Sequence, residues 1–426
     1  MTRSTKHSLE YCNKGKREAL KAFRSRYLEM LDKFVNIVWH KFRHSWMSML
    51  PSDVCNQIST GVEFDSRIRQ AAAKQALAMV KAVDSKQDKR LWKLAQLQRE
   101  GKKDIIYLQR KIALAKQSKP NTKNVNPVLD ARFADFEETP NGHFDLFLRL
   151  SSLGNKQDIK IPLDEHKVDK KWKDAGGIRN GSVTLCEDYV GLSYEVPTPP
   201  KRTEGKVVGA DQGLLTCLSI SNGNLKSEIE QGKEHSLEGS QVTTKDRDGW
   251  DLDGICERLA RRIYGSKGFL RTQEHRQNYI NWSVEQIDFS EVKKVNLERI
   301  RNIRKGRNQG RKMSRWTYGA IKTKLERRGE AEGFSVAEQN NKFRSQRCSQ
   351  CGWTHESNRK GKTFRCQRCG FHADADLNAA SNHETELCDI QYGRAWTEHL
   401  NRTSGFYWMG DGIYARDGTP IVSHVA

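Results

Sequence analysis

With 426 residues, 74 Lys and Arg against 53 Asp and Glu, and a net charge of +21, the chain sets a strong positive excess against a hydrophobic content of only 36%. The length predicts two to four domains, and the charge favours a polyanionic partner whose phosphates would dominate affinity. No N-terminal signal pattern and no apolar run near ~18 residues occurs, so neither secretion nor membrane spanning is expected.

Residues 1–12 form a candidate first strand. From Lys16, apolar side chains recur at Leu20, Phe23, Tyr27, Leu31, Phe34 and Val38; steps of three and four put one stripe of a helix on a core. Trp39, Phe42 and Trp46 continue it toward Pro51. A second helical region is predicted over 67–117, with a turn at Gly101 and basic faces that include Lys86, Lys89, Arg90 and Lys93. From about Pro127 the period changes to two: Phe144, Leu146 and Leu148, then Ile159 and Ile161, Val183 and Leu185, Leu192 and Tyr194. This alternation, with glycines between the runs, predicts a small antiparallel domain closed as a barrel. Pro197, Pro199 and Pro200 read as a linker after it.

Residues 206–220 then give an apolar strand, Asp211, a turn at Gly213 and a second apolar strand. A carboxylate inside such a run is costly to bury without a partner or a metal, which marks Asp211 as an active-site candidate. Helices are predicted over 251–264 and 269–286, followed by a strand over 291–298 that ends in Glu298. The segment 299–312 carries seven basic residues, Arg299, Arg301, Arg304, Lys305, Arg307, Arg311 and Lys312, with Gly306 and Gly310 between them, and reads as a phosphate-facing lid. A helix over 316–328 and a strand over 333–338 lead to the next motif.

Two CxxC pairs, Cys348/Cys351 and Cys366/Cys369, stand fourteen residues apart, each followed by Gly and an aromatic (Gly352-Trp353, Gly370-Phe371). Two tight turns offering two thiolates each close a tetrahedral Zn²⁺ site with no open position, hence a structural metal. The other cysteines (Cys12, Cys55, Cys186, Cys217, Cys256 and Cys388) are scattered, as reduced intracellular thiols are. Directly after the ribbon, Asp374-Ala-Asp376-Leu-Asn378-Ala-Ala reads as an acidic helix start.

Asp211 in a first strand, Glu298 at a later strand end and Asp376 at a helix start, in the order strand, hairpin, helix, strand, helix, resemble the RuvC branch of the RNase H fold. With the ribbon inserted before the third acid, the chain is similar to the TnpB nucleases and compact type V CRISPR effectors. The residues that carry the likeness are Gly209-Ala-Asp211-Gln-Gly213, Leu297-Glu298-Arg-Ile, Ser345-Gln-Arg-Cys348-Ser-Gln-Cys351-Gly and Ala375-Asp376-Leu-Asn378-Ala-Ala380. The detailed match covers about 205–383; the N-terminal half agrees in layout only. Ala210 departs from a more usual β-branched residue, and a tail from about 388, with Trp396, Tyr407, Trp408 and Tyr414, has no family parallel and reads as a packing strap.

The resemblance implies a multidomain α+β chain. Residues 1–12 would give a first strand of a wedge domain, 13–126 a helical recognition lobe and 127–203 a β-barrel wedge. A RuvC-like nuclease would occupy 204–342 and 373–426, with a target-binding zinc ribbon over 343–372. It further implies RNA-guided cleavage of DNA in a prokaryotic cytoplasm, at the nucleoid, with guide RNA and single- and double-stranded target DNA as partners. Phosphodiester hydrolysis would use two Mg²⁺ on Asp211, Glu298 and Asp376, with Asp211 bridging, because hard Mg²⁺ takes carboxylates and leaves the thiolates to zinc. Asp374 is a candidate either for supporting the metal ligands from behind or for capping the helix. Nucleic-acid contacts are expected from Arg301, Arg304, Lys305, Arg307 and Arg311. A guided repressor without cutting and a guide-independent nuclease are the alternatives; a homodimer is left open.

Overall fold

The computed structural model describes residues 1–44, 47–56, 64–99, 105–139, 142–151, 153, 158–221, 224–225, 240–241, 245–300, 310–388, 390 and 394–423. The chain divides into two compact units, Met1–Pro197 and Thr198–Ala426.

In the first unit, β1 (Thr2–Ser8) precedes the long helix α1 (Lys14–Ile37). Asn13 caps it by accepting from the Lys16 N–H at 2.9 Å. The stripe Leu20, Phe23, Tyr27, Leu31 and Phe34 is buried, as the spacing requires, and the helix ends in a π-helical turn, Val38–Phe42. Trp39 and Phe42 pack against the same core; Trp46 lies outside the described residues. A short helix α2 (Ser52–Asn56) leads to α3 (Ser66–Arg99), and α4 (Ile106–Gln117) follows. Ala71, Ala72, Ala73 and Ala76 are buried and let α3 lie close on α1. Gly101, the expected turn, is outside the described residues.

The β part contains β2 (Val128–Leu129), β3 (Ala134–Glu138), β4 (Leu146–Leu150), β5 (Ile159–Leu163), helix α5 (Lys167–Asp174), β6 (Ile178–Leu185) and β7 (Tyr189–Glu195). Period-two burial holds: Leu146, Leu148 and Leu150 face in while Arg149 faces out. The expected closed barrel is not found among the described residues. The strands form two open sheets instead, β1-β7-β6-β2 and β3-β4-β5. The reason is local. After β5 the chain turns into α5, which the sequence pattern did not reveal. A capping box between His166 and Asp169 fixes its start, so β5 and β6 belong to different sheets. Asp169 is buried and accepts from Thr5 Oγ1 at 2.8 Å beside His7, 3.0 Å away, tying α5 to β1.

The second unit is built on a five-stranded sheet. β8 (Lys206–Gln212) and β9 (Leu218–Ile220) form the hairpin around Gly213, β10 (Asn224–Leu225) and β11 (Ser240–Gln241) are short, and helices α6 (Leu252–Arg261) and α7 (Lys267–Glu285) follow. Then come β12 (Ile287–Asp288), β13 (Val292–Arg299), α8 (Arg311–Arg315), α9 (Tyr318–Glu332) and β14 (Ser335–Asn340). The sheet order is β11-β9-β8-β13-β14; β8, β13 and β14 are parallel, and β9 is antiparallel to β8. Val208, Ala210, Val295 and Leu297 are fully buried, as in central strands covered on both faces. The cysteine segment supplies β15 (Trp353–Thr354), β16 (Arg359–Lys360), β17 (Thr363–Arg365) and β18 (His372–Asp374), and α10 (Ala375–Glu384) then returns to the sheet. The tail forms α11 (Arg394–Arg402), β19 (Phe406–Trp408), β20 (Gly412–Tyr414) and β21 (Pro420–Ser423). It adds its strands to β15 in the order β15-β19-β20-β21, so the segment expected as a strap is a sheet extension of the cysteine-bearing part.

α10 sits so close on β8 that a Cβ at Gly209 would lie 1.9 Å from the Ala380 carbonyl oxygen and 2.5 Å from the Glu384 nitrogen. Both obstacles are backbone, so no side-chain adjustment relieves them. Gly209→Ala is therefore expected to destabilise the second unit by about 3 kcal/mol or more. A urea titration of the full chain checks this, and an unchanged midpoint would refute it.

Candidate active site and cysteine cluster

The four cysteines converge. The Sγ atoms of Cys348, Cys351, Cys366 and Cys369 all lie within 4.8 Å of one another. Cys348 and Cys369 are 3.7 Å apart, and Cys351 and Cys366 3.6 Å. A tetrahedron with ~2.3 Å Zn–S bonds has sulfur–sulfur edges of ~3.8 Å, so the four sulfurs fit a zinc ion. Each knuckle turns on a glycine in the left-handed region, Gly352 and Gly370, both at φ 77. Their N–H groups donate to the Cys348 and Cys366 carbonyls at 2.9 and 3.1 Å. Burial lifts the Cys348 thiol and pushes Cys351 up to about 11; a divalent cation is what would draw four such thiols into thiolates. His355 is engaged elsewhere, its Nδ1 accepting from the Ser357 N–H at 3.1 Å.

The three acids also converge, from positions far apart in sequence. Asp211 is near the end of β8, Glu298 near the end of the parallel neighbour β13, and Asp376 in the first turn of α10. All three line one cavity of about 630 Å³. The Asp211 and Glu298 carboxyl groups lie close enough for each to act on the other's titration. Glu298 also accepts from the Gln212 N–H at 3.4 Å and from Asn341 Nδ2 at 3.1 Å. Asp376 Oδ1 accepts from Arg359 at 3.1 Å and its Oδ2 from Lys362 Nζ. Asp374 serves the helix instead. Its Oδ1 caps α10, accepting from the N–H groups of Asp376 and Leu377 at 2.8 and 3.2 Å. Burial, then Glu298 and Asp376, hold Asp211 well above the usual carboxylate range, and burial raises Glu298. Three crowded carboxylates of this kind favour either protons or cations.

The ribbon and the acids are mechanically joined. β17 and β18 pair Thr363 with Asp374 and Phe364 with Ala373, so the ladder beside the cysteines runs into the α10 cap. Arg359 and Lys362 come from the adjoining hairpin, where Gly361 turns at φ 63. These two cations escaped the sequence reading; their only signal was a basic run between the two knuckles. Asn341, Asp253 and His383, which also line the cavity, were likewise missed. Of the basic segment, Arg301, Arg304, Lys305 and Arg307 lie outside the described residues. Arg311 is exposed at the start of α8, and Lys312 lines the cavity, 2.9 Å from Asp253.

Residues 318–383, from α9 through the ribbon to the body of α10, match the family model described as Cas12f1-like, TNB domain. Among solved structures, the chain is similar to Cas12f1 in its complex with sgRNA and target DNA: TM-score 0.51, 16% identity, 86% of this chain and 81% of that one covered. It is also similar to the mini-RNA-guided endonuclease CRISPR-Cas phi3, with TM-score 0.50, 10% identity and 90% and 92% covered. The chain has the fold of the compact type V CRISPR effectors. No curated relative matches it by sequence. In this effector fold, the TNB match spans the four cysteines, Arg359, Lys362 and Asp376 together.

Two outcomes follow from this geometry. Purified protein should carry one zinc per chain by elemental analysis, and Cys366→Ser should lose it and speed hydrogen exchange through β17, β18 and the start of α10. Zinc-free protein with reduced cysteines would refute the cluster. For Asp211, a pKa raised on folding gives stability that is present below the ordinary carboxylate range and lost as pH rises through the raised value. Without divalent cations, Asp211→Asn should therefore melt higher than the parent at pH 8, the two converging near pH ~4; a variant that melts lower at pH 8 would contradict the crowding.

Proposed function

We propose that this chain is an RNA-guided DNA endonuclease that hydrolyses phosphodiester bonds in a RuvC-like site formed by Asp211, Glu298 and Asp376. The observation that carries this reading is the meeting of those three carboxylates in one cavity, at the ends of parallel β8 and β13 and the start of α10. The arrangement strand, hairpin, helices, parallel strand, helix matches the order on which the RNase H likeness rests.

The donor set fits Mg²⁺: oxygen only, negatively charged, and crowded enough that Asp211 and Glu298 are held toward protonation in the absence of positive charge. Two Mg²⁺, when bound, would supply a water activated near neutral pH and charge neutralisation at the phosphate and the leaving oxygen. The chain's own groups do the remainder. Asp211, rooted in a central strand, and Glu298, held by Asn341 and Gln212, give ligands whose positions the sheet fixes. Asp376 is oriented by Arg359 and Lys362, and these cations stand where a substrate phosphate would meet them. Asp374 orders the helix start without entering the cavity.

In this reading residues 13–126 are the recognition lobe and 127–203 the wedge, which together bind the guide RNA. Residues 204–342 and 373–426 are the nuclease, and 343–372 the target-binding ribbon. The protein acts in a prokaryotic cytoplasm, at the nucleoid. The intact acid set weighs against a guided repressor without cutting, which has no need of three converging carboxylates.

Asp211→Ala, Glu298→Ala and Asp376→Ala should each lower Mg²⁺-dependent cleavage by at least about a hundredfold with nucleic-acid affinity little changed, whereas Asp374→Ala should be milder. RNA that co-purifies should be of defined sequence, and replacing its guide segment should redirect the cut. Cleavage that ignores the new guide would establish a guide-independent nuclease instead.

A further inference from the structure

A second cavity, of about 660 Å³, adjoins the one that holds the acids: Asn341 and Ser345 line both. Asn341 donates to Glu298 Oε1, so the junction lies at a candidate metal ligand. One wall of the second cavity comes from α11, in the tail that the sequence reading left without a role. Its charged lining is balanced, Lys342 and Arg402 against Glu356 and Glu398. Arg402 faces Glu356 at 3.7 Å, and Lys342 Nζ donates to Thr397 at 2.7 Å. A surface with no charge excess is poorly suited to a phosphate. Its distinctive groups are the amides Asn340, Asn341, Gln346 and Asn401, with the ring of Phe343.

Two further observations point to a ligand. Asn401 is 4% exposed and its Nδ2 donates to Gln346 Oε1 at 2.7 Å, yet its Oδ1 has no partner. A buried amide oxygen left unpaired costs free energy unless something donates to it. Phe343 has φ 59, a left-handed backbone that a bulky residue rarely adopts and that tends to accompany binding sites. Its carbonyl accepts from the Gln346 and Arg347 N–H groups at 2.9 Å each, which holds the turn.

We infer that this second cavity is a base subsite. It takes one unpaired base of the strand being cut, next to the scissile phosphate, and favours bases whose exocyclic amino group can donate to Asn401 Oδ1. Adenine, cytosine and guanine carry such a group and thymine does not; the Phe343 ring, packed edge-to-face on Phe406 with Lys342 Nζ 4.9 Å from its centroid, borders the subsite. The inference deepens the nuclease reading and rests on it for the position of the cut bond. Because α11 belongs to the tail, the preference would be a property of this chain's own C-terminal segment.

The test uses the full chain with its co-purified guide RNA, Mg²⁺ and single-stranded DNA targets that this guide pairs with, in which each position flanking the cut bond outside the guide-paired segment is varied. At one of those positions an amino-bearing base should be cut about three- to tenfold faster than thymine, the range of one hydrogen bond, and adenine faster than unsubstituted purine. Asn401→Leu should erase this difference while leaving cleavage of thymine substrates within about twofold of the parent; Asn401→Asp, which keeps an acceptor and guards against a general folding effect, should retain it. Binding of the same oligonucleotides in Ca²⁺, read by fluorescence anisotropy, separates the two readings. Cleavage with no base preference, or a preference that survives Asn401→Leu, overturns the subsite and leaves the nuclease standing. An Asn401-dependent preference in binding, without any cutting, supports the subsite and overturns the nuclease.

Discussion

The second unit depends on one close approach, α10 lying on β8 with nothing between them. Gly209 provides the space, and the small residues Ala379 and Ala380, 1% and 0% exposed, provide the matching surface of the helix. The approach sets where Asp376 stands relative to Asp211 and Glu298. It would have little value if the other side of α10 were loose, and it is not. Asn378 Nδ2 donates to the Arg347 carbonyl at 2.8 Å, and Asn382 Nδ2 to the Arg344 and Arg347 carbonyls at 2.9 and 2.7 Å. The Arg347 guanidinium returns to Asn382 Oδ1 at 2.5 Å and to the Trp408 carbonyl at 2.7 Å. Burial pulls this guanidinium down to about 10, a cost accepted where several carbonyls converge. The helix is thus clamped between the sheet and the cysteine-bearing segment.

That clamp explains why so much charge can collect in one cavity without disordering it. Asp211, Glu298, Asp376 and Asp253 face Arg359, Lys362 and Lys312 there. Each anion is rooted in a strand or a capped helix turn, and the cations come from the ribbon hairpin and α8. Repulsion among the acids is opposed by packing that the acids do not themselves supply. The sheet core around Val208, Val295 and Leu297 and the aromatic pair Phe289 and Phe334, 4.6 Å apart, carry that load.

The parts of this arrangement that were legible in the sequence are those whose chemistry and local pattern coincide. Asp211 interrupts an apolar run, so burial cost alone made it conspicuous; Glu298 by itself reads as a surface residue at a strand end, and it and Asp376 were picked out by the resemblance to the RuvC motifs. The cysteines announced themselves by spacing and glycines. Arg359 and Lys362 did not, because a basic residue in a hairpin looks like any solvated cation until the fold brings a carboxylate to it. The barrel failed for a related reason. Alternation in 146–150, 159–161 and 183–194 identifies strands but not their partners. The short α5 carries one apolar pair, Val168 and Trp172 four residues apart, within only eight residues of mostly lysine and aspartate, too brief a pattern to outweigh the strands on either side. Nor could the spacing show that Thr2–Ser8 pairs with β7 across most of the first unit.

The tail is built into the cysteine-bearing segment rather than laid over it. Its β19 pairs with β15 just after the second cysteine, Trp353 opposite Tyr407, and a Cβ on Gly405 would lie 2.4 Å from the Trp353 ring. Trp408 Nε1 donates to the Cys388 carbonyl at 3.0 Å and its own carbonyl accepts from Arg347. The strands therefore brace the first knuckle. Bracing alone would need only the strands. α11 goes further, placing Asn401 against Gln346 and Thr397 against Lys342, in the turn that carries Phe343 and leads to Asn341. A segment that only strapped the ribbon would be free to cover this turn with apolar side chains; instead it presents a buried amide and a hydroxyl. That choice of side chains is what the proposed base subsite would use, and a strap would have no need of it.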